Sequence, residues 1–167
     1  MIRKFIARVF SGKKPKAGKH EPAIIPVSSH GITRDRLSAG SRRVCETLQG
    51  HGFKAYVVGG AVRDLLIGAD PKDFDIATDA TPEEVRHVFR RSRIIGRRFQ
   101  IVHVMMGHET IEVTTFRGTL DANTKKDEHG RVLHDNVFGA QAEDAARRDF
   151  TANALYYDPT TEPARDD

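Results

Sequence analysis

The chain has 167 residues, of which 38% are hydrophobic and 30% are charged, and these values suit a single globular domain with a buried core. No apolar run approaches the roughly 18 residues of a membrane-spanning helix, and no apolar secretory signal opens the chain, so a cytoplasmic location is predicted. The single cysteine, Cys45, excludes an internal disulfide framework. The net charge of +4 suits a polyanionic partner without choosing among RNA, DNA and nucleotides.

Residues 1–30 are predicted to form a basic, flexible N-terminal arm. The arm has no acidic residue before Glu21 and is interrupted by glycines and prolines. Its first ten residues can form a short amphipathic helix that suits RNA or peripheral contact with an acidic membrane surface. A solvated tail explains the same composition. Both interpretations stay open.

A helix is predicted between Ile32 and Gly52. Leu37, Val44 and Leu48 recur at helical spacing, and two glycines mark the exit. Cys45 falls beside this apolar stripe, so it is interpreted as a small buried hydrophobe rather than a nucleophile. The helix is expected to pack on a sheet.

The central stretch runs from Tyr56 to Thr78 and reads YVVGGAVRDLLIGADPKDFDIAT. A short strand is followed by Gly59 and Gly60 and then by a helix predicted over residues 61–67, which Gly68 ends. Such a turn directs backbone N–H groups toward a helix start, where they favour phosphate. Two glycines alone are weak evidence for such a site.

Two carboxylates follow the glycine turn. If residues 73–77 form a strand, Asp73 and Asp75 share one face while Phe74 and Ile76 point into the core. Adjacent carboxylates repel each other, and a divalent cation relieves the repulsion. An isolated Asp pair is equally typical of a surface turn, but the phosphate-binding turn just upstream favours the cation site.

The next segments form a second group of predicted elements. Thr81, Pro82 and Glu84 predict a capped helix that runs to about Arg91. Strands are predicted over residues 100–106 and 110–116, joined by a turn. In the second strand Glu112 lies on the face opposite Ile111 and Val113, which makes it the natural third carboxylate beside the Asp73/Asp75 strand.

The remaining segments are less regular. Arg97 and Arg98 belong to an arginine-rich run that is either a solvated surface or a contact for phosphate or RNA. Residues 118–136 predict a long loop, and the histidines have no metal-ligand spacing. Residues 143–153 are predicted to be helical, and an amphipathic helix with internal Glu/Arg pairs explains that composition without any site.

Several of these segments carry a family resemblance. The motifs, in order, are GGAVRDLLIG, KDFDIAT, TPEEVRHVFR, GRRFQIVHV, IEVTTFRG and RRDFTANALYYDP. Together they resemble the head-domain signature of nucleotidyltransferases that include CCA-adding tRNA nucleotidyltransferases and bacterial poly(A) polymerases, within the DNA polymerase beta-like superfamily. The resemblance covers roughly Val44 to Pro159, and DNVFG at residues 135–139 is more similar to the poly(A) polymerase version.

The resemblance implies a fold and a set of site residues. The fold is α/β (α+β), a mixed sheet of about five strands flanked by helices. The implied metal ligands are Asp73, Asp75 and Glu112, which hold two Mg²⁺ ions in the family chemistry of in-line transfer to an RNA 3′-hydroxyl. The implied nucleotide and phosphate contacts are Gly59, Gly60, Arg63, Arg148, Asp149 and Asn153.

Two further residue patterns are interpreted alongside the resemblance. Asp64 is expected to orient Arg63 or the turn rather than to bind metal. Residues 143–147 also spell the E-D-x-x-R pattern by which the family reads the base. In the family that pattern lies further along, on a following helical domain, so this copy is interpreted as coincidental.

The predicted function is template-independent addition of AMP from ATP to RNA 3′ ends. The alternatives are a CCA-adding enzyme, which also uses CTP, and a non-catalytic head that binds RNA or nucleotides. The predicted organisation is an arm over residues 1–30, a catalytic head over 31–160 and a tail over 161–167, with the helical neck and body of the family absent.

Overall fold

The computed structural model describes residues 22–97, 99–118 and 137–161. Most of the predicted arm, Arg98, most of the predicted long loop and nearly all of the tail lie outside these ranges. Residues 27–30 of the predicted arm form one helical turn. None of the helices in the described ranges has the length and apolar character that crossing a bilayer requires.

The described chain alternates helices and short strands. The helices are α1 (Val27–His30), α2 (Ala39–Gly50), α3 (Gly60–Leu66), α4 (Pro82–Val88) and α5 (Gln141–Ala146), with 3₁₀ turns at Arg34–Arg36 and Thr151–Asn153. The strands are β1 (Ala55–Val58), β2 (Asp75–Thr78), β3 (Ser92–Ile95), β4 (Ile101–Met106), β5 (Glu109–Thr115) and β6 (Tyr156–Tyr157).

The strands form one mixed sheet in the order β3-β4-β5-β2-β1-β6. Strands β2 and β5 pair in parallel, and the other neighbouring pairs are antiparallel. The predicted mixed α/β sheet with flanking helices is confirmed, with six strands rather than five. Strands β3 and β6, which were not located from the sequence, lie at the two edges of the sheet, and the exposed Arg93 of β3 suits an edge strand.

The two faces of the sheet differ in composition. One face, which we call the helix-covered face, packs against α2 and α4 and carries Val57, Ile76, Val104 and Val113, each at most 1% exposed. The alternating residues point to the opposite, open face. Burial of the first face supplies most of the apolar driving force for folding.

Helix α2 packs as its sequence predicts but begins later, at Ala39, so Leu37 is buried just before the helix rather than within it. The Ser38 hydroxyl accepts a hydrogen bond from Ser41 N–H (3.1 Å), which caps the first turn. Val44, Cys45 and Leu48 are fully buried. Burial, with smaller effects from nearby carboxylates, raises the pKa of the Cys45 thiol far above its usual range, so its interpretation as a buried hydrophobe is confirmed.

Helix α4 has the predicted start and an earlier end. Thr81 Oγ1 accepts from Glu84 N–H, and the Glu84 carboxylate accepts from Thr81 N–H at 2.7 Å, completing the capping box. The helix ends at Val88 rather than near Arg91 because Phe89 is already extended. The Ser92 hydroxyl donates to the Phe89 carbonyl (2.6 Å) and leads the chain into β3.

The helix predicted over residues 143–153 is wrong in its second half. Helix α5 ends at Ala146, and a separate 3₁₀ turn follows at Thr151–Asn153. The Asp149 carboxylate accepts from Phe150 N–H at 2.9 Å, a local bond that competes with helical pairing. Phe150 is extended and 67% exposed, so the backbone is no longer helical at this residue.

Candidate active site

The open face carries a row of side chains in register across the whole sheet. Asp75 in β2 lies opposite Glu112 in β5, the neighbouring residue in the parallel pair. The row continues through His103 and Arg93 on one side of the carboxylates. On the other side it continues through Val58 and Tyr156. Pairing of β2 with β5 therefore brings together two predicted site residues that are distant in sequence.

The third predicted carboxylate, Asp73, precedes the strand. Strand β2 begins at Asp75, so the predicted start of a strand at residue 73 is wrong. Phe74 packs partly against the core as expected. Asp73 is nevertheless near enough for its charge to act on Asp75.

The electrostatic setting of Asp75 reflects these neighbours. Burial raises the pKa of Asp75, the charges of Glu112 and Asp73 raise it further, and the charge of Arg148 lowers it. Like charges concentrated on one face oppose ionisation of each member. A cation bound among them offsets this repulsion.

The donor set fits a hard divalent cation. Carboxylate oxygens are the preferred protein ligands of Mg²⁺, Mn²⁺ and Ca²⁺. In the described ranges, no three His, Cys, Asp or Glu side chains converge closely enough to form a ready-made metal site. The chemistry of the carboxylates and the register pairing of Asp75 with Glu112 therefore fit a metal, although the described side chains do not form a complete coordination site.

The glycine turn lies directly after β1. Gly59 has φ 73° and ψ −135°, a conformation that strongly favours glycine, and its N–H donates to the Leu155 carbonyl (3.2 Å). A side chain at Gly59 would also come within 3.5 Å of Arg148 Nη1. Helix α3 then starts at Gly60, one residue earlier than predicted.

Arg63 on α3 connects this turn to the C-terminal motif. Its Nη1 donates to Asn153 Oδ1 (3.1 Å), and its Nε donates to Asp64 Oδ1 (2.9 Å). Asp64 therefore orients Arg63, as its position in the sequence predicts. Asn153 Nδ2 in turn donates to Asp149 Oδ1 (3.4 Å), so these predicted nucleotide contacts form one connected group.

Arg148 is held in a cage of acceptors. Its Nη2 donates to Asp144 Oδ2 (3.1 Å), its Nε to Tyr156 Oη (3.2 Å) and its Nη1 to the Asn153 carbonyl (3.3 Å). The guanidinium carbon also lies 5.3 Å from the centre of the Tyr156 ring. Burial works against its charge, but Tyr156 and Asp144 raise the pKa of Arg148 above its ordinary value.

The sequence analysis missed Asp144 and Tyr156 as parts of this site. Asp144 is 7% exposed and accepts from Arg117 N–H, from Arg148 and from the Tyr156 hydroxyl. Its i, i+4 spacing to Arg148 was the available signal. The E-D-x-x-R letters end at Arg147, one residue before the arginine that pairs with Asp144.

His103 was also missed. Its Nε2 lies 3.3 Å from Glu112 Oε1, and its place in the register row puts it beside the predicted metal ligand. The period-2 pattern of β4 places His103 on the open face, but its pairing with Glu112 depends on the register between β4 and β5. Arg97 is exposed in the arginine-rich run, and its predicted contact with phosphate or RNA stays a prediction.

Comparisons with known proteins identify the family of the chain. A family profile described as Poly A polymerase head domain matches residues 55–166. Poly(A) polymerase I of Escherichia coli O6:H1 is 44% identical over 170 residues, covering 98% of this chain and 37% of that protein. The CCA-adding enzyme of Staphylococcus aureus (strain bovine RF122 / ET3-1) is 37% identical over 118 residues, covering 71% of this chain and 28% of that protein.

A solved structure resembles the fold described above. The CCA-adding enzyme of Bacillus stearothermophilus in complex with CTP matches with a TM-score of 0.55 and 38% identity, covering 70% of this chain and 26% of that one. The chain thus spans about a third of the length of the relatives it matches (37% for the Escherichia coli protein). The profile match extends over most of the chain, and the chain belongs to the Poly A polymerase head domain family.

Proposed function

We propose that this chain is the catalytic head of a nucleotidyltransferase that adds AMP from ATP to RNA 3′ ends. The observation that carries the proposal is the register pairing of Asp75 with Glu112 at the centre of the open face, with Asp73 close enough to act on Asp75. An arginine group flanks the carboxylates on one side. The strong similarity to a poly(A) polymerase over nearly the whole chain favours ATP as the substrate.

The arginines have the chemistry to bind a triphosphate. Arg148 approaches Gly59 and Arg63 approaches Gly60, and both guanidinium groups are oriented by hydrogen bonds. Pre-oriented guanidinium groups bind phosphate through charge-assisted hydrogen bonds without a large ordering cost. Asp149 and Asn153 complete this side of the site and are proposed to contact the nucleotide.

The carboxylates Asp73, Asp75 and Glu112 are proposed to hold Mg²⁺. When bound, such cations lower the pKa of an attacking hydroxyl and neutralise charge on phosphate oxygens. Asp75 and Glu112 fix the position of that chemistry because each is anchored on a central strand. A cytoplasmic location and the choice of Mg²⁺ over other divalent cations are parts of the same proposal.

Incorporation of labelled nucleotides tests the proposal. The chain is incubated with Mg²⁺, a short RNA and either labelled ATP or labelled CTP. We expect addition from ATP that Asp75→Asn abolishes. Asp70→Asn is the matched control, since it makes the same chemical change at a side chain that is 95% exposed and paired with Arg36.

The outcomes separate the candidate functions. Addition that survives Asp75→Asn unchanged contradicts the assignment of the carboxylates. Addition from CTP to tRNA ends, seen only when the protein is present, favours a CCA-adding enzyme, the second candidate. The similarity to the CCA-adding enzyme solved with CTP supports this candidate. Binding of ATP and Mg²⁺ without any addition favours a head that binds nucleotide but does not catalyse transfer alone.

A further inference from the structure

The surroundings of the carboxylates are asymmetric across the open face. On the β1 and β6 side lie the glycine turn, Arg63 and the caged Arg148. On the other side lie the bare strands β4 and β3, with His103 and Arg93 in the same register row as Glu112. The two sides therefore offer different contacts to the two substrates of a transfer reaction.

In-line transfer fixes which substrate takes which side. The attacking oxygen and the leaving group lie on opposite sides of the phosphorus. If the triphosphate binds the arginines on the β1 side, the attacking 3′-hydroxyl must approach from the β4 side. The inference rests on the proposed function for this step.

The β3–β4 side has the charge and exposure that an RNA strand requires. Arg93 is exposed, and within residues 22–97, 99–118 and 137–161 its guanidinium makes no hydrogen bond or ion pair, while its backbone pairs with β4. Strands lie about 4.8 Å apart, so Arg93 is about 10 Å from Glu112 across two strand spacings. Arg93 and Glu112 thus lie in one row on the open face, with His103 between them.

We propose that the open face of β3 and β4 is the track of the RNA strand and that Arg93 binds a backbone phosphate upstream of the 3′ end. His103 lies between Arg93 and Glu112 and borders the same track. Because Arg93 would contact a phosphate and not a base, its contribution to binding is independent of RNA sequence. It supplies binding of the strand and leaves ATP binding unchanged.

The salt dependence of RNA binding tests this contact. Binding of a fluorescent single-stranded RNA is measured by anisotropy over a range of salt concentrations for the wild-type chain and for Arg93→Ala. For a single-stranded nucleic acid, loss of one phosphate contact makes the negative slope of log K against log salt shallower by about 0.7. We expect this change together with several-fold weaker binding at low salt and unchanged ATP binding.

Two variants make the result specific. Arg86→Ala removes the same charge from an exposed residue of α4, on the helix-covered face, and should leave the slope as in the wild type. Arg93→Lys keeps the charge and should restore most of the slope. Circular dichroism confirms that each variant is folded.

Three results would overturn the track. They are equal slopes for Arg93→Ala and Arg86→Ala, no measurable RNA binding by the chain at low salt, and loss of ATP binding in Arg93→Ala. The nucleotide-addition assay is separate from this measurement. If Arg93→Ala changes the salt slope but the chain shows no nucleotide addition that depends on Asp75, the RNA track is supported and catalysis by this chain is contradicted.

Discussion

Asp75 and Ile76 are neighbours in β2, yet one lies among like charges on the open face and the other among buried apolar side chains. Ile76 is fully buried on the helix-covered face, where apolar side chains pack against α2 and α4. Asp75 lies on the open face, where Glu112 and Asp73 oppose its charge. The first arrangement stabilises the fold, and the second works against it.

At Asp75 the needs of a metal site and the needs of a stable fold oppose each other. A sheet that needed only to fold would not pair two carboxylates on adjacent central strands, because like charges directly opposite each other are destabilising. The helix-covered face offsets this cost. Substitutions on the two faces should therefore separate activity from stability.

The largest expected effect is on activity at Asp75. Loss of one metal ligand removes several kcal/mol of transition-state stabilisation, so Asp75→Asn should lower nucleotide addition on the order of 10³-fold. The free energy of unfolding should stay equal or rise, because the substitution relieves repulsion from Glu112 and Asp73. Urea denaturation without metal measures this, and a clear loss of stability contradicts the comparison.

The next effect is on stability at the adjacent residue. Ile76→Ala removes a fully buried side chain from the helix-covered face and should lower the free energy of unfolding by about 3 kcal/mol. Urea denaturation of this variant beside Asp75→Asn compares the faces at consecutive positions. Similar stability changes in the two variants would refute the division of roles.

Asp144 is an acidic residue that stabilises the fold, unlike Asp75. It accepts hydrogen bonds from Arg117, Arg148 and Tyr156 and is nearly buried. Asp144→Ala leaves these donors without their acceptor and should cost about 2 kcal/mol of stability. Glu83→Ala, at an exposed position of α4, is the control, with an expected change within ~0.5 kcal/mol.

The smallest expected effect is at the start of α4. Thr81→Ala removes both side-chain hydrogen bonds of the capping hydroxyl and should cost about 1 kcal/mol. Thermal unfolding measures this loss. Nucleotide addition at a temperature where the variant is folded should be unchanged, and reduced addition would show that α4 also supports the site.

The local elements were predictable because their signals lie within a few residues. Alternation identified β4 and β5, and Thr81 with Glu84 identified the start of α4. The same alternation placed Glu112 opposite the core residues of its strand. Strand β3 escaped prediction because Arg93 falls within an arginine-rich run whose charge obscures the two isoleucines.

The tertiary relations were beyond local patterns. The family resemblance identified Arg148 and Asn153, but the early end of α5 depends on side chains that fold back on one another. The position of His103 beside Glu112 depends on the register between β4 and β5. Alternation gives the face of a strand, whereas its partner and register follow from the whole sheet.

The parallel pairing of β2 with β5 also has a consequence for the folding pathway. A tight turn cannot join parallel strands, and here α4, β3 and β4 lie between them in the chain. The β4–β5 hairpin can form from local contacts, whereas the Asp75–Glu112 pair requires closure of a long loop, which slows folding. A partly folded or newly synthesised chain therefore lacks its carboxylate centre until the middle of the sheet has closed.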